Sequence, residues 1–177
     1  MAASGAPLRY LALGDSYTIG EGVAPAERWP VKLAAGLRAD GWDMAPPQII
    51  ATTGWTTDEL QAGIHAAAPQ GPFELVSLLI GVNNQYRGRP LDEYRQQFEA
   101  LLLQAMTFAG GHAARVFVLS IPDWGLTPFA RAQGGDAALI GAQIDAFNAI
   151  AADSCSMHGV RLIDIISTSR DGGDMAD

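Results

Sequence analysis

The stretch that decides the fold is LRYLALGDSYTIGEG, residues 8–22. It begins with a short apolar run, Leu8–Leu13, which predicts a buried β-strand. The strand leads into Gly14, Asp15 and Ser16, a glycine-containing turn that carries a serine. Glycine lets backbone N–H groups face inward, so the turn suits a nucleophile whose own N–H donates to an oxyanion. The alternatives are a turn that cradles a phosphate and a turn that is merely tight.

Outward from this stretch, short apolar runs alternate with longer amphipathic segments. The predicted strands are Leu8–Leu13, Gln48–Thr52, Leu75–Ile80, Arg115–Ile121 and Val160–Ile165, and the predicted helices are Glu27–Asp40, Thr57–Ala68, Leu91–Ala109 and Ala137–His158. Most of the runs lack a clean alternation of polar and apolar residues, which is typical of strands buried on both faces. Five strands alternating with four helices predict an α/β protein, a three-layer αβα sandwich around a five-stranded parallel sheet.

Composition limits the possible functions. With 177 residues, 49% hydrophobic and 17% charged, the chain is predicted to fold as a single domain over residues 1–177. The single cysteine, Cys155, excludes a disulfide framework and a cysteine-based zinc site within one chain. A net charge of -8 with Lys32 as the only lysine argues against nucleic acid and anionic lipid as partners. No apolar run reaches the roughly 18 residues of a membrane span, and residues 1–8 do not resemble a signal peptide, so a cytoplasmic protein is predicted.

The loops after the next three strands hold further candidates. Gly54 can bring a backbone N–H close to a ligand, or can simply mark the entry to the next helix. The Asn83 side-chain amide can donate to a developing oxyanion, or can cap the strand through an Asx turn. Trp124 and Phe129 can form the wall of an apolar pocket, or can pack within their own loop.

Three of these loops together resemble the first three conserved blocks of the SGNH (GDSL) hydrolase family. Gly14–Ser16, Gly54 and the Gly81-x-Asn83 pair occur in the family's order, at the ends of the first three predicted strands. The strings GDSYTIGEG, TGWTTDEL, GVNNQYRG and SIPDWGLTPF look like those of bacterial GDSL esterases and lipases. The third block of the family is usually Gly-x-Asn-Asp, and Asn84 stands here in place of the aspartate.

The resemblance implies a flavodoxin-like αβα sandwich and hydrolysis of carboxylic esters through an acyl-enzyme, without a metal or other cofactor. It implies that Ser16 is the nucleophile and that the oxyanion hole consists of the Ser16 and Gly54 N–H groups and the Asn83 side chain. The residues expected to line the acyl or alcohol pocket are Trp55, Tyr86 and Trp124. The implied partner is a small ester, with neither nucleic acid nor a stable membrane anchor.

The family's last block, Asp-x-x-His after strand five, supplies the general base and the acid that orients it. No histidine follows Asp164 in this sequence, although Asp174 or Asp177 could begin such a block. The three histidines are His65, His112 and His158. All three are predicted at the amino-end edge of the sheet, about 17–20 Å from Ser16, whereas a hydrogen bond needs about 3 Å.

Two interpretations remain open. In the first, the chain is a family member truncated before its catalytic block and last helix, which predicts an exposed apolar surface and self-association through it. In the second, it is a non-catalytic relative that binds acyl or acetyl groups without turnover. A flavodoxin-like cofactor binder also has this topology, but the sequence lacks a phosphate-binding signature.

Overall fold

The computed structural model describes residues 6–171. Its five strands are β1 (Tyr10–Gly14), β2 (Gln48–Ala51), β3 (Leu75–Leu79), β4 (Val116–Leu119) and β5 (Arg161–Ile163). They form one parallel sheet in the order β2-β1-β3-β4-β5. This is the order of flavodoxin-like sheets, in which ligands bind beyond the carboxyl ends of the strands. The predicted fold class is therefore confirmed.

The helices divide into long ones that the sequence predicts and short ones that it does not. The long helices are α2 (Trp29–Ala39), α3 (Thr57–Ala67), α5 (Leu91–Phe108) and α7 (Ala137–His158). The short helices are α1 (Ser16–Ile19), α4 (Val82–Tyr86), α6 (Pro128–Ala132) and α8 (Ile166–Asp171). Each short helix has at most six residues, too few to show a helical repeat of apolar positions, so no local pattern indicates them.

The two faces of the sheet are covered differently. One face carries the main core, in which α3, α5 and α7 cover buried side chains such as Leu11 and Leu78. The other face carries a smaller cluster, in which Ala34 of α2 packs on Tyr10 and Ala12. The Tyr10 hydroxyl is buried there and forms a 2.8 Å hydrogen bond with Ser77. Each fully buried leucine-sized side chain contributes about 1.5–3 kcal/mol, so the larger core dominates stability.

On the α2 face, the part of the sheet near β4 and β5 is left open by the residues that the structure describes. A cavity of about 560 Å³ lies there, bordered by Leu75, Phe117, Arg161 and Ile163. Ile163 is 40% exposed, although it lies in a strand. Leu75, Phe117 and Ile163 give this surface an apolar part, beside the charged side chains of Arg115 and Arg161.

The two ends of the sheet carry different chemistry. As predicted, the histidines lie toward the amino-end edge: His65 in the last turn of α3, His112 just before β4, and His158 at the end of α7. The His158 ring contacts the Glu99 carboxylate of α5 at 3.2 Å. Asp174 and Asp177, the candidates for the last catalytic block, lie outside the described residues. Over residues 6–171, no helix has the length and apolarity that a membrane span requires.

The self-association expected from the sequence stays a prediction, and the open face gives it a test. If two chains pair through this surface, light scattering should give about twice the 18.7 kDa mass of one chain. Ile163→Glu places a charge in the surface and should restore the single-chain mass. Leu139→Glu, at an exposed position of α7, is the matched control and should leave association unchanged. A single-chain mass for the unaltered protein at all concentrations would contradict the prediction.

Candidate active site

A sharp passage from β1 into α1 presents Ser16 at the carboxyl-end edge. Gly14 has no room for a side chain, because a Cβ there would lie 2.6 Å from the Leu79 carbonyl oxygen. The Asp15 side chain caps α1, since its Oδ1 accepts the Tyr17 N–H at 3.1 Å. Ser16 is the first residue of the helix and is partly exposed. The turn therefore places the predicted nucleophile at the start of a helix and open to a ligand.

Asp15 is buried directly beside the serine. Its side chain is inaccessible to solvent, and its Oδ2 has no hydrogen-bond partner among residues 6–171. Burial raises the pKa of Asp15 to about 7, and the hydrogen bond from the Tyr17 N–H only partly opposes this shift. The carboxyl is therefore protonated in mildly acidic solution and becomes charged as the pH passes neutrality.

Gly54 lies in a tight turn after β2. The Trp55 N–H donates to the Thr52 carbonyl at 3.2 Å, and Gly54 inside this turn has a φ of +87°. That backbone conformation favours glycine, because a side chain would be strained there. Arg87 Nη2 donates to the Gly54 carbonyl at 2.6 Å.

Helix α4 brings Asn83 to the same turn. Asn83 Nδ2 donates to the Trp55 carbonyl at 3.0 Å. This bond requires the amide nitrogen, not the oxygen, to face the turn, and the nitrogen carries two N–H groups. One N–H is left for another acceptor, so the predicted oxyanion donor is already oriented as a donor.

Asn84, which replaces the family's usual aspartate, is fully buried behind the site. Its Oδ1 accepts the Thr57 N–H at 3.1 Å, and its Nδ2 donates to the Thr57 hydroxyl at 2.8 Å. The Thr57 hydroxyl then donates to Gln97 Oε1 of α5. The asparagine thus satisfies both groups of Thr57 and sets the direction of the hydrogen bond to Gln97, a partnership that the sequence alone does not reveal.

A cavity of about 240 Å³ opens beside Ser16. The residues lining it are Ser16, Tyr17, Val82, Asn83, Tyr86, Trp124 and Phe129. The rings of Tyr86 and Trp124 meet edge to face, with centroids 5.4 Å apart, and Phe129 packs near both. The structure thus brings together four of the six predicted site residues around one apolar cavity.

Trp55 and Gly54 do not line that cavity. The Trp55 indole lies over Gly63 of α3 and packs against the main core. Its predicted role in the pocket remains a prediction, and so does the predicted Gly54 N–H donor. The backbone of both residues nevertheless reaches the site, because their carbonyl oxygens accept from Arg87 and Asn83.

The Trp124 loop is held by contacts that the sequence did not predict. Trp124 Nε1 donates to Gln85 Oε1 at 2.7 Å, and Gln85 Nε2 donates to Gln143 of α7 at 2.8 Å. The neighbouring Asp123 carboxylate accepts Arg170 Nε of α8 at 2.9 Å. These side chains lie far apart in sequence, and no local pattern indicates their pairing.

A second cavity, of about 640 Å³, adjoins the first. The two share Ser16, Tyr17 and Phe129, and the second extends to Glu21, Val23, Glu27 and Trp29. The predicted nucleophile therefore lies where two cavities meet. Within residues 6–171, no three histidine, cysteine, aspartate or glutamate side chains group closely enough to hold a metal ion.

The parallel sheet, the serine turn after β1 and the asparagine after β3 define the class of SGNH-type hydrolases. Residues 12–177 match the model of the GDSL-like lipase/acylhydrolase family, so the chain belongs to that family. A comparison with curated protein sequences gives no match.

Solved structures agree on the fold. AlinE4, an SGNH-hydrolase family esterase, is 20% identical with a TM-score of 0.76, over 98% of this chain and 84% of AlinE4. A lipase/acylhydrolase from Enterococcus faecalis is 18% identical with a TM-score of 0.68, over 94% of this chain and 82% of its own. An extracellular lipase from Streptomyces rimosus is 22% identical with a TM-score of 0.66, over 91% and 81%.

Asp15 predicts a pH dependence of stability. Its pKa is about 7 in the folded protein and near 3.8 in the unfolded chain, so the folded state holds a proton that the unfolded state releases. The stabilisation is complete below about pH 4 and is lost as the pH rises through 7, at up to about 1.4 kcal/mol per unit. Asp15→Asn stays neutral, so urea unfolding should show its stability relative to the unaltered protein rising between pH 4.5 and 7.5. Asp136→Asn, at the exposed cap of α7, is the control. If the stability of Asp15→Asn and that of the unaltered protein changed in parallel with pH, Asp15 would not be protonated in the folded state.

Asn84→Asp tests the buried partnership with Thr57. A carboxylate would accept the Thr57 hydroxyl proton, which now goes to Gln97, and would leave Gln97 Oε1 without that donor. Urea unfolding at pH 7 should show a loss of about 1–3 kcal/mol, because the fully buried position 84 gains a charge and Gln97 loses a donor. Adding Gln97→Leu should recover part of the loss. Unchanged stability in the single variant would mean that the Gln97 amide turns over without cost.

Proposed function

We propose that this chain hydrolyses carboxylic esters through an acyl-enzyme formed on Ser16. The observation that carries the proposal is that Ser16 and the oriented amide of Asn83 line one apolar cavity. The membership in a family of lipases and acylhydrolases supports it. The esterase AlinE4 and the lipase from Streptomyces rimosus, which share the fold, act in the same general class.

In the proposed reaction, Ser16 Oγ attacks the carbonyl carbon of the ester and gives up its proton to a base. The carbonyl oxygen becomes an oxyanion, which accepts from the Ser16 N–H, the Gly54 N–H and the free N–H of Asn83. Collapse of this intermediate breaks the bond to the alcohol, which leaves with a proton. Water then attacks the acyl-enzyme by the same route and releases the acid. Each oxyanion donor contributes about 2.7–4 kcal/mol to the transition state.

The two cavities offer separate places for the two parts of an ester. The smaller one, with the Tyr86, Trp124 and Phe129 rings, suits an apolar acyl group of short or medium length. The larger one, which is lined by the carboxylates of Glu21 and Glu27, suits the more polar alcohol part. Since both open at Ser16, the scissile bond would lie at their junction.

We infer that the proton acceptor for Ser16 is none of His65, His112 and His158. His65, His112 and His158 lie toward the opposite edge of the sheet, and His158 is engaged with Glu99. A serine hydroxyl needs a base near neutral pH, so added imidazole should act as one. Turnover by this chain should therefore rise with imidazole, and with pH up to neutrality.

The test is hydrolysis of p-nitrophenyl acetate by the unaltered chain and by Ser16→Ala across a range of imidazole concentrations. The difference between the two rates removes hydrolysis by imidazole itself and should grow with its concentration. Asn83→Ala should lower this Ser16-dependent rate by about 10²–10³-fold, as the loss of one oxyanion donor does. The acyl group should be found on Ser16 by mass spectrometry after rapid quenching.

The matched control replaces all three histidines with glutamine and should leave the Ser16-dependent rate unchanged. Equal rates for the unaltered chain and Ser16→Ala at every imidazole concentration would refute turnover. Saturable binding of acetate or butyrate esters in that case would favour the alternative, a module that holds acyl groups without cleaving them. The position of all three histidines away from Ser16 is the observation that keeps this alternative in view.

A further inference from the structure

Two side chains from the α4 region hold the Gly54 turn, because they donate hydrogen bonds to two consecutive backbone carbonyls. Arg87, the C-cap residue directly after α4, donates through Nη2 to the Gly54 carbonyl at 2.6 Å. Asn83, one turn earlier in the same helix, donates to the Trp55 carbonyl at 3.0 Å. The loop after β2 is thus fixed to the helix after β3 at two adjacent points.

We propose that Arg87 is a positioning residue for the oxyanion hole, acting through the Gly54 carbonyl. The inference rests on the proposed function, in which the Gly54 N–H and the Asn83 amide receive one oxygen. These donors come from different loops, and catalytic groups must be held within about 0.5 Å of their working geometry. Arg87 does not line either cavity beside Ser16, so it sets the spacing of the donors without contacting the substrate.

The chemistry of Arg87 suits this task. A guanidinium donates several N–H groups in a rigid plane, and its hydrogen bonds are strengthened by its charge. While Nη2 binds Gly54, Nη1 reaches Glu59 Oε1 at 3.2 Å. Glu59 Oε2 in turn accepts the Thr56 N–H at 2.9 Å, which caps α3. One arginine therefore connects the turn, the start of α3 and the end of α4.

The competing explanation of the Arg87 contacts is that this residue only forms a surface ion pair with Glu59. The Arg87 and Glu59 side chains are 41% and 39% exposed, and ion pairs this exposed contribute little by themselves. The two explanations separate at Glu59→Gln, which removes the charge but keeps an oxygen for the Thr56 cap. If Arg87 acts through Gly54, this variant should behave nearly as the unaltered chain does, whereas Arg87→Ala should not.

The chain offers a matched control in Arg89. This arginine lies two residues further on and pairs with Asp58 and Glu93, at 3.6 and 2.7 Å. It makes no hydrogen bond to residues 52–55 in the described structure. Arg89→Ala therefore removes an equal charge from the same region without touching the turn.

The experiment uses the full chain with two independent measurements. The first is the affinity for phenylboronic acid, which adds to a serine hydroxyl as a tetrahedral anion, measured by boron NMR. The second is amide hydrogen exchange at Trp55, whose N–H is protected by the Thr52 carbonyl. Arg87→Ala should weaken boronate binding about 10- to 100-fold, as a misplacement of about 1 Å does, and should speed exchange at Trp55. Turnover should fall in kcat while KM changes little.

Rescue and control variants sharpen the result. Added guanidinium at millimolar concentration should restore part of the boronate affinity of Arg87→Ala, and Arg87→Lys should lie between the two. Arg89→Ala should leave both measurements unchanged. Two outcomes would overturn the positioning role. One is an equal effect of Arg87→Ala and Arg89→Ala on both measurements. The other is faster exchange at Trp55 in Arg87→Ala while its boronate affinity and kcat stay unaltered. If the unaltered chain neither binds the boronate nor turns over ester, the proposed function itself fails; unchanged Trp55 exchange in Arg87→Ala would separately refute the contact.

Discussion

The register of three parallel strands is the constraint on which the whole site depends. Gly14, the last residue of β1, pairs with Ala51 of β2 on one side and with Leu79 of β3 on the other. Neighbouring strands lie about 4.8 Å apart, so three loops begin side by side on one edge. Ser16, Gly54 and Asn83, which carry the proposed nucleophile and the three proposed oxyanion donors, lie two to four residues beyond these paired positions. A slip of one strand would separate them and turn its side chains to the opposite face.

Register alone brings the loops close, and hydrogen bonds between the loops complete the arrangement. Short helix α4 provides most of these bonds, with Asn83, Asn84 and Arg87 each bonded to the segment after β2. These bonds differ in how firmly they hold the loops together. The Asn84 pair is fully buried and therefore costly to disturb, whereas the Arg87 bond is partly exposed and open to screening by salt. Because of this difference in burial, the Asn84 pair supports the site rigidly from behind, whereas the strength of the Arg87 bond varies with salt.

The sequence predicts those parts of the molecule that have a periodic or local signal. The four long helices were predictable because their apolar positions repeat over three or more turns, and the turn that carries Ser16 was predictable from the glycine after an apolar run. The short helices, and the pairing of Arg87 with Gly54, have no such signal. Trp55 shows the limit most clearly. It follows Gly54 in sequence and was expected in the pocket, yet its indole turns onto α3, because Gly63 leaves a space there. Only the phase of α3 relative to the loop decides this, and that phase is a property of tertiary packing.

Because of Asp15, the rate of the proposed reaction depends on pH in two opposing ways. Proton loss from Ser16 becomes easier as the pH rises, and so does transfer to a base such as imidazole. Asp15, the adjacent residue, ionises as the pH passes about 7, because burial has raised its pKa to that value. Its negative charge then lies in a poorly solvated position beside a developing oxyanion, which raises the energy of that oxyanion, and it also destabilises the fold. We therefore expect the same buried carboxyl that caps α1 and presents Ser16 to oppose the proposed chemistry above neutrality, where its stabilisation of the fold has already been lost.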